Sequence, residues 1–248
     1  WSKTEKDQYS IKVIKGLVMD ATRKANSGHP GGPMSCADFA YILYHDYLNF
    51  DPRNHEWFNR DRFVLSGGHM SMLQYSLLLL IGWLGMGDIK SFRQLHSRTP
   101  GHPEVEIPGV ECTTGPLGQG FAMGVGMAHA EAYLHNLFRS LAEEAGQLVD
   151  HYTYVLASDG DLQEPVTLGS ASLAGHLGLS KLVVFYDANE AQISGHTNRS
   201  DSTNYGIVFE GFNWHVQEIN GHDHDQIRTA IEKSQGDNRP SIIIGNTI

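Results

Sequence analysis

Apolar residues recur at three- and four-residue steps over residues 7–26, with Ile11, Ile14, Val18 and Ala21 on one face, and this spacing predicts an amphipathic helix. Residues 27–33 (Ser-Gly-His-Pro-Gly-Gly-Pro) interrupt it, and their glycines and prolines exclude helix and central strand, so a loop is expected. A second helix is expected over residues 35–47, led in by Pro33 and Ser35. Residues 60–66 read as a strand, 71–81 as a helix, and 92–96 as the end of a short helix. Residues 121–130 form a small-residue helical stretch in which Gly124 and Gly126 each cost roughly 1 kcal/mol relative to Ala, so close backbone packing is expected there. Two β-rich apolar runs, 153–157 and 182–186, flank a segment long enough for a crossover helix, the sequence form of a βαβ unit. Farther on, 195–205 reads as polar loop, 214–219 as strand, 223–234 as a helix with Ile227 and Ile231 facing in, and 240–245 as a last buried strand. Strands alternating with helices predict one α/β domain: a doubly wound, mostly parallel sheet with helices on both faces.

A right-handed crossover between the two central strands puts Asp159 and Asn189, each just past a strand, at the carboxyl edge of the sheet, where open α/β folds hold ligands. A carboxylate and an amide oxygen are hard donors that suit Mg²⁺ or Ca²⁺ better than zinc, and a bound phosphate or diphosphate would complete so sparse a ligand set. Gly160 lets the backbone approach such a group, and the following helix offers it free N–H groups. The plainer alternative is that Asp159 only caps that helix.

Lys plus Arg number 18 and Asp plus Glu 28, a formal charge of −10, which argues against nucleic acid or an anionic membrane as the main partner. Cys36 and Cys112 are too few for a disulfide scaffold and lack C-x-x-C spacing, which fits a reducing cytoplasm. Neither a membrane span nor a secretory leader is expected, and a start at Trp1 without Met points to a trimmed chain. What stands out is the clustering of glycine with histidine: Gly28-His29, Gly68-His69 and Gly101-His102 each lie in a loop. A lone loop histidine is ordinarily solvated or structural; three in the same setting call for a common explanation. A fourth glycine cluster, Thr113-Thr114-Gly115-Pro116-Leu117-Gly118-Gln119-Gly120, is either a turn before a buried helix or a backbone surface for a flat or charged ligand.

Taken together, Ser27-Gly28-His29-Pro30-Gly31, Ser66-Gly67-Gly68-His69, Thr99-Pro100-Gly101-His102-Pro103-Glu104, the 113–120 cluster and Asp159-Gly160 followed after 28 intervening residues by Asn189 closely resemble the transketolase family over nearly the whole chain. The resemblance implies thiamine diphosphate with Mg²⁺ or Ca²⁺, and transfer of a two-carbon ketol unit from a ketose phosphate to an aldose phosphate in the cytoplasm. It implies metal ligation by Asp159, Asn189 and the Ala191 carbonyl. It gives His29 a proton-shuttle role at the donor hydroxyls, His69 a place at the diphosphate, and His102 a place at the ketose end. Gly115 and Leu117 would lie against the cofactor rings, and Glu164 at a dimer contact between two cofactors.

The family is usually more than twice this length, so residues 1–248 are expected to be the diphosphate-binding domain alone. The pyrimidine-binding domain, with its cofactor-activating glutamate, would come from a partner subunit or the rest of a longer chain, in a homodimer or heterotetramer. Three residues depart from the family pattern: Ser158 and Pro165 where glycine is usual, and Asn246 where lysine is usual. Rival readings are a subunit of another thiamine-diphosphate enzyme of the 2-oxoacid dehydrogenase type, and a non-catalytic scaffold in which Ser158 and Pro165 mark decay.

Overall fold

A computed structural model describes residues 1–141, 148–192 and 195–248. Helix α1, Lys3–Ala25, starts earlier than its apolar stripe because Ser2 and Glu5 close a capping box, and it ends where Asn26 turns left-handed at φ 47°. Residues expected to be loop include a short helix, α2, Gly31–Ser35. Pro33 is tolerated there because it falls in the first turn, where N–H groups lack intrahelical partners anyway. The single helix expected over 35–47 is instead interrupted at Cys36, giving α3, Ala37–Ile42, and a π turn, Leu43–Tyr47.

Strand β1, Arg62–Leu65, leads through a 3₁₀ turn, Gly68–Met70, into α4, Ser71–Leu80. Helix α5 is Met86–Lys90, so it lies before the expected 92–96; Arg93 and His96 have positive φ (59° and 64°), which bars helix there. Helix α6, Gln119–Leu141, outruns its expectation, and a Cβ on Gly124 would come within 2.4 Å of Val155 Cγ2, so this glycine does permit close packing. Gly126 has nothing within 4 Å of such an atom, and packing does not explain it.

Strand β2, Thr153–Ser158, is followed by α7, Asp159–Leu162, α8, Pro165–Leu177, and β3, Leu182–Ala188. The expected polar loop, 195–205, begins instead with a short strand, β5, Gly195–His196, paired antiparallel with β4, Ala191–Gln192, which precedes it. Helix α9, Tyr205–Gly211, strand β6, His215–Asn220, helix α10, His224–Gln235, and strand β7, Ser241–Asn246, complete the chain.

The described residues form a five-stranded, wholly parallel sheet in the order β1-β2-β3-β7-β6. Alternation along each strand divides the core. Phe63, Leu65, Tyr154, Leu156, Val183 and Phe185 meet α1, α3, α4 and α10 on one face. Val64, Val155, Ala157 and Val184 meet α6, α8 and α9 on the other, around the buried Trp214. After β3 the chain skips to the edge at β6 and returns at β7, so the order switches between β3 and β7, which is where a doubly wound sheet opens a crevice.

Candidate active site

The strand register aligns Ser158 with Asp187 at the carboxyl edge, so the residues after β2 and β3 emerge side by side. Asp159 is not the cap of α7: it is the first helical residue, and Ser158 with Asp161 forms the capping box. One oxygen of Asp159, Oδ1, accepts from the Tyr186 hydroxyl at 2.5 Å. Its other oxygen, Oδ2, is buried and has no hydrogen-bond partner among the described residues. The N–H groups of Asn189 and Ala191 influence the carboxylate without closing a bond of good geometry to Oδ2. Burial pushes this carboxyl up to about 6, with the Asp187 charge adding to the rise and Tyr186 and the two N–H groups opposing it.

Asn189 is oriented from both ends: Nδ2 donates to Asp187 Oδ2 at 2.8 Å, and Oδ1 accepts from the Ala191 N–H at 2.9 Å. Asp187 itself is buried and accepts from Ser35 Oγ at 2.8 Å and from Thr247 Oγ1, which ties the ends of α2 and β7 to the same point. An unpartnered anionic oxygen beside an amide oxygen is a donor set that fits a hard divalent cation.

The histidine loops converge next to this edge. The rings of His29 and His69 meet edge to face with centroids 5.4 Å apart. A Cβ on Gly115 would stand 3.6 Å from the His102 ring, the Thr114 N–H donates to the Pro103 carbonyl at 3.2 Å, and a Cβ on Gly68 would stand 2.9 Å from Gly115 N, so the β1 loop, the 99–103 loop and the 113–120 loop are in direct contact. Burial lowers the pKa of all three imidazoles, and the Arg93 charge lowers His29 and His102 further. Leu117 covers Gly160, where a Cβ would be 2.8 Å from Leu117 Cδ1. Gly118 has φ +80° and stands against the Glu164 side chain, so a larger residue there would be both strained and obstructed.

The two groups are joined by Asp161, which the sequence reading missed. Fully buried, it accepts from Ser66 Oγ (2.7 Å), Gly118 N (2.8 Å), Ser158 N (2.8 Å) and Ser158 Oγ (2.8 Å). Ser66 Oγ in turn accepts the N–H of Phe121 at 2.9 Å. The signal was present as Ser158-x-x-Asp161, the spacing of a capping box. Arg93 was missed too, and nothing in its polar neighbourhood could have singled it out. The departures from the family pattern find structural reasons. Ser158 is extended (φ −104°, ψ 171°), so no glycine is required, and Pro165 is the first residue of α8, where proline is favoured. Asn246 closes β7 and donates to Glu218 Oε1 at 2.9 Å. Both cysteines are free.

An open parallel sheet whose carboxyl edge gathers glycine-bounded loops around an unpartnered carboxylate defines a ligand-binding domain of the doubly wound class. Residues 6–248 match the family described as transketolase, thiamine diphosphate binding domain, and the chain belongs to that family. It is 50% identical over 244 residues to Transketolase 2 of Vibrio parahaemolyticus, covering 97% of this chain and 36% of that protein. It is also similar to the solved structure of transketolase from Leishmania mexicana (42% identity, TM-score 0.94, 97% of this chain and 36% of that one). A Pichia stipitis transketolase solved as a complex with sedoheptulose-7-phosphate is likewise similar, at 41% identity and TM-score 0.93 over 97% of this chain and 36% of that one. The chain thus spans about 36% of the length of the relatives it matches. Membership of this family displaces the 2-oxoacid dehydrogenase reading. Among the described residues, no helix is long and apolar enough to cross a membrane.

Proposed function

We propose that this chain is the diphosphate-binding domain of a transketolase and supplies the metal and diphosphate half of a site that moves a two-carbon ketol unit between sugar phosphates. The observation that carries the reading is the buried, unpartnered Asp159 Oδ2 beside an oriented Asn189, with three imidazoles on adjoining loops. Thiamine diphosphate, when bound, supplies the nucleophilic carbon and the electron sink for carbon–carbon cleavage. Asp159, Asn189 and the Ala191 carbonyl would hold Mg²⁺ or Ca²⁺ against its diphosphate. His69 would donate to the diphosphate, and Gly115 and Leu117 would bound the cofactor rings.

Burial and the Arg93 charge bias His29 and His102 toward their neutral forms, which can accept a proton from, or hydrogen-bond, a sugar hydroxyl. His29 takes the proton-shuttle role and His102 the ketose end. Glu164, at the head of α8, would meet a second copy in a homodimer, or a heterotetramer if the pyrimidine-binding domain is a separate subunit. Sugar phosphates as substrates draw support from the sedoheptulose-7-phosphate complex of the Pichia stipitis relative. A place in pentose phosphate metabolism in the cytoplasm follows from the same reading.

The test is a thermal shift with thiamine diphosphate and Mg²⁺, followed by a ketol-transfer assay with and without the pyrimidine-binding portion. Metal-dependent stabilisation, with turnover only when that portion is present, is expected. Absence of any metal-dependent cofactor binding would favour the scaffold reading, and turnover by these 248 residues alone would remove the need for a second domain.

A further inference from the structure

We propose that Arg93 is a positioning residue of this site: its guanidinium ties the His29 loop to the His102 loop and presents a fixed positive charge to both imidazoles. The role rests on the functional reading given above. Arg93 is held in a left-handed backbone conformation, φ 59°, by an N–H bond to the Thr99 carbonyl at 2.9 Å, an arrangement that costs a non-glycine residue about 1 kcal/mol. Its side chain runs across Gly101, where a Cβ would come within 3.1 Å of both Cζ and Nε, so any larger residue before His102 would require Arg93 to shift. At its far end Nη1 donates to Ser27 Oγ at 3.0 Å, two residues before His29. Phe92 completes the wedge: it packs against Gly28 (3.2 Å from a Cβ there), and the Arg93 guanidinium sits 5.6 Å from its ring centroid.

The charge on this wedge is not spent on a carboxylate. Arg60, Arg228 and Arg239 are paired with Glu111, Asp7 and Asp237 at 2.7, 2.6 and 2.9 Å. Arg93 has no such pair among the described residues, and its Nε is buried without a partner. Facing His29 are Arg93, His69 and His102; facing His102 are Arg93, His29 and His69; facing His69 are Asp161, His29 and His102. Arg93 is thus the fixed cation of a cluster whose imidazoles must start neutral to accept a proton. Two effects follow from the one side chain. It sets the spacing of the two loops, and it disfavours protonation of the imidazoles they carry.

The test compares wild type, Arg93→Met and Arg93→Lys by NMR titration of the histidine Cε1–H signals without cofactor, with thermal denaturation as a check on folding. Arg93→Met is expected to raise the midpoints of both His29 and His102 by about half a pH unit, and Arg93→Lys to restore most of the difference. Ser27→Ala, which removes only the anchor, is expected to displace the His29 signal and serves where Arg93→Met does not fold. Unmoved midpoints in folded Arg93→Met, or an unmoved His29 signal in Ser27→Ala where Arg93→Met does not fold, would overturn the proposal whatever the enzyme's reaction. In the complete enzyme, the acid limb of kcat/KM should move up with Arg93→Met and return with Arg93→Lys, while cofactor affinity holds. A wild-type enzyme with no ketol transfer but the expected NMR shifts would overturn the functional reading and leave the coupling between Arg93 and the histidines standing.

Discussion

The two edges of the sheet carry similar residue types and treat them differently. At the amino edge charges find charges: Arg60 grips Glu111 through two bonds of 3.1 and 2.7 Å, Lys181 bridges Glu131 and Asp150, and Asp61 accepts the N–H groups of Asn49 and Tyr152. Glu131, His135 and Asp150 are close enough together to resemble a metal site, but Lys181 already supplies the cation. At the carboxyl edge Asp159 keeps one oxygen and Arg93 one nitrogen without a partner. The amino edge also buries unpartnered atoms, His151 Nδ1 and Thr153 Oγ1, but these belong to neutral groups; leaving an ionic group unsatisfied costs more, and that is what distinguishes the carboxyl edge as a place shaped for a ligand.

The contrast can be broken or sharpened by substitution. The largest effect should come from Asp161→Ala, which strands the N–H groups of Gly118 and Ser158 and the hydroxyls of Ser66 and Ser158; a loss of about 3–5 kcal/mol in urea denaturation is expected. A loss below about 1 kcal/mol would mean that Asp161 does not organise the edge. Next is His151, two residues before β2, where burial, with the Arg62 charge adding, pushes the imidazole down to about 4 from an ordinary 6.5. The unfolded chain therefore binds the proton more readily, and stability present above 6.5 is lost as pH falls toward 4, by on the order of 2–3 kcal/mol. His151→Leu should flatten that slope when urea midpoints are compared at several pH values.

Asp159→Ala should do the reverse of Asp161→Ala. Stability without ligand should change little, because removing the unpartnered Oδ2 offsets the stranding of the Tyr186 hydroxyl, while thiamine diphosphate affinity in Mg²⁺ falls at least tenfold, about 1.4 kcal/mol, by calorimetry. Lys181→Met should cost about 1–2 kcal/mol, more than a surface ion pair because it strands the buried Glu131 carboxylate, and leave cofactor binding untouched.

Much of this arrangement could be read in the sequence, for identifiable reasons. The apolar runs of β2 and β3 are buried on both faces and continuous, so their pairing and the emergence of Asp159 and Asn189 at one edge followed from pattern alone. The three Gly-His pairs were visible because glycine marks places where backbone comes close, and the contacts of Gly68 and Gly101 bear that out. What was hidden depends on tertiary context. The break of the 35–47 helix at Cys36 carries no local signal, and Pro33 reads as a helix breaker unless its place in a first turn is known. The doubts raised by Ser158 and Pro165 came from comparing residue types without backbone angles, and those angles remove the geometric objection. Arg93 was invisible because its partners are a hydroxyl in one loop, a glycine in another and a ring between them.

The convergence on Asp161 also has a kinetic side. Its donors come from residues 66, 118 and 158, and Ser66 passes the connection on to the amide of residue 121, so the cluster closes only after stretches of chain far apart in sequence have docked. The amides of Gly118, Phe121 and Ser158 are therefore expected to exchange with deuterium as one cooperative unit, opening and closing together although they belong to a loop, a helix and a strand. Loops that must present groups to a ligand would then be as slow to open as the sheet that carries them.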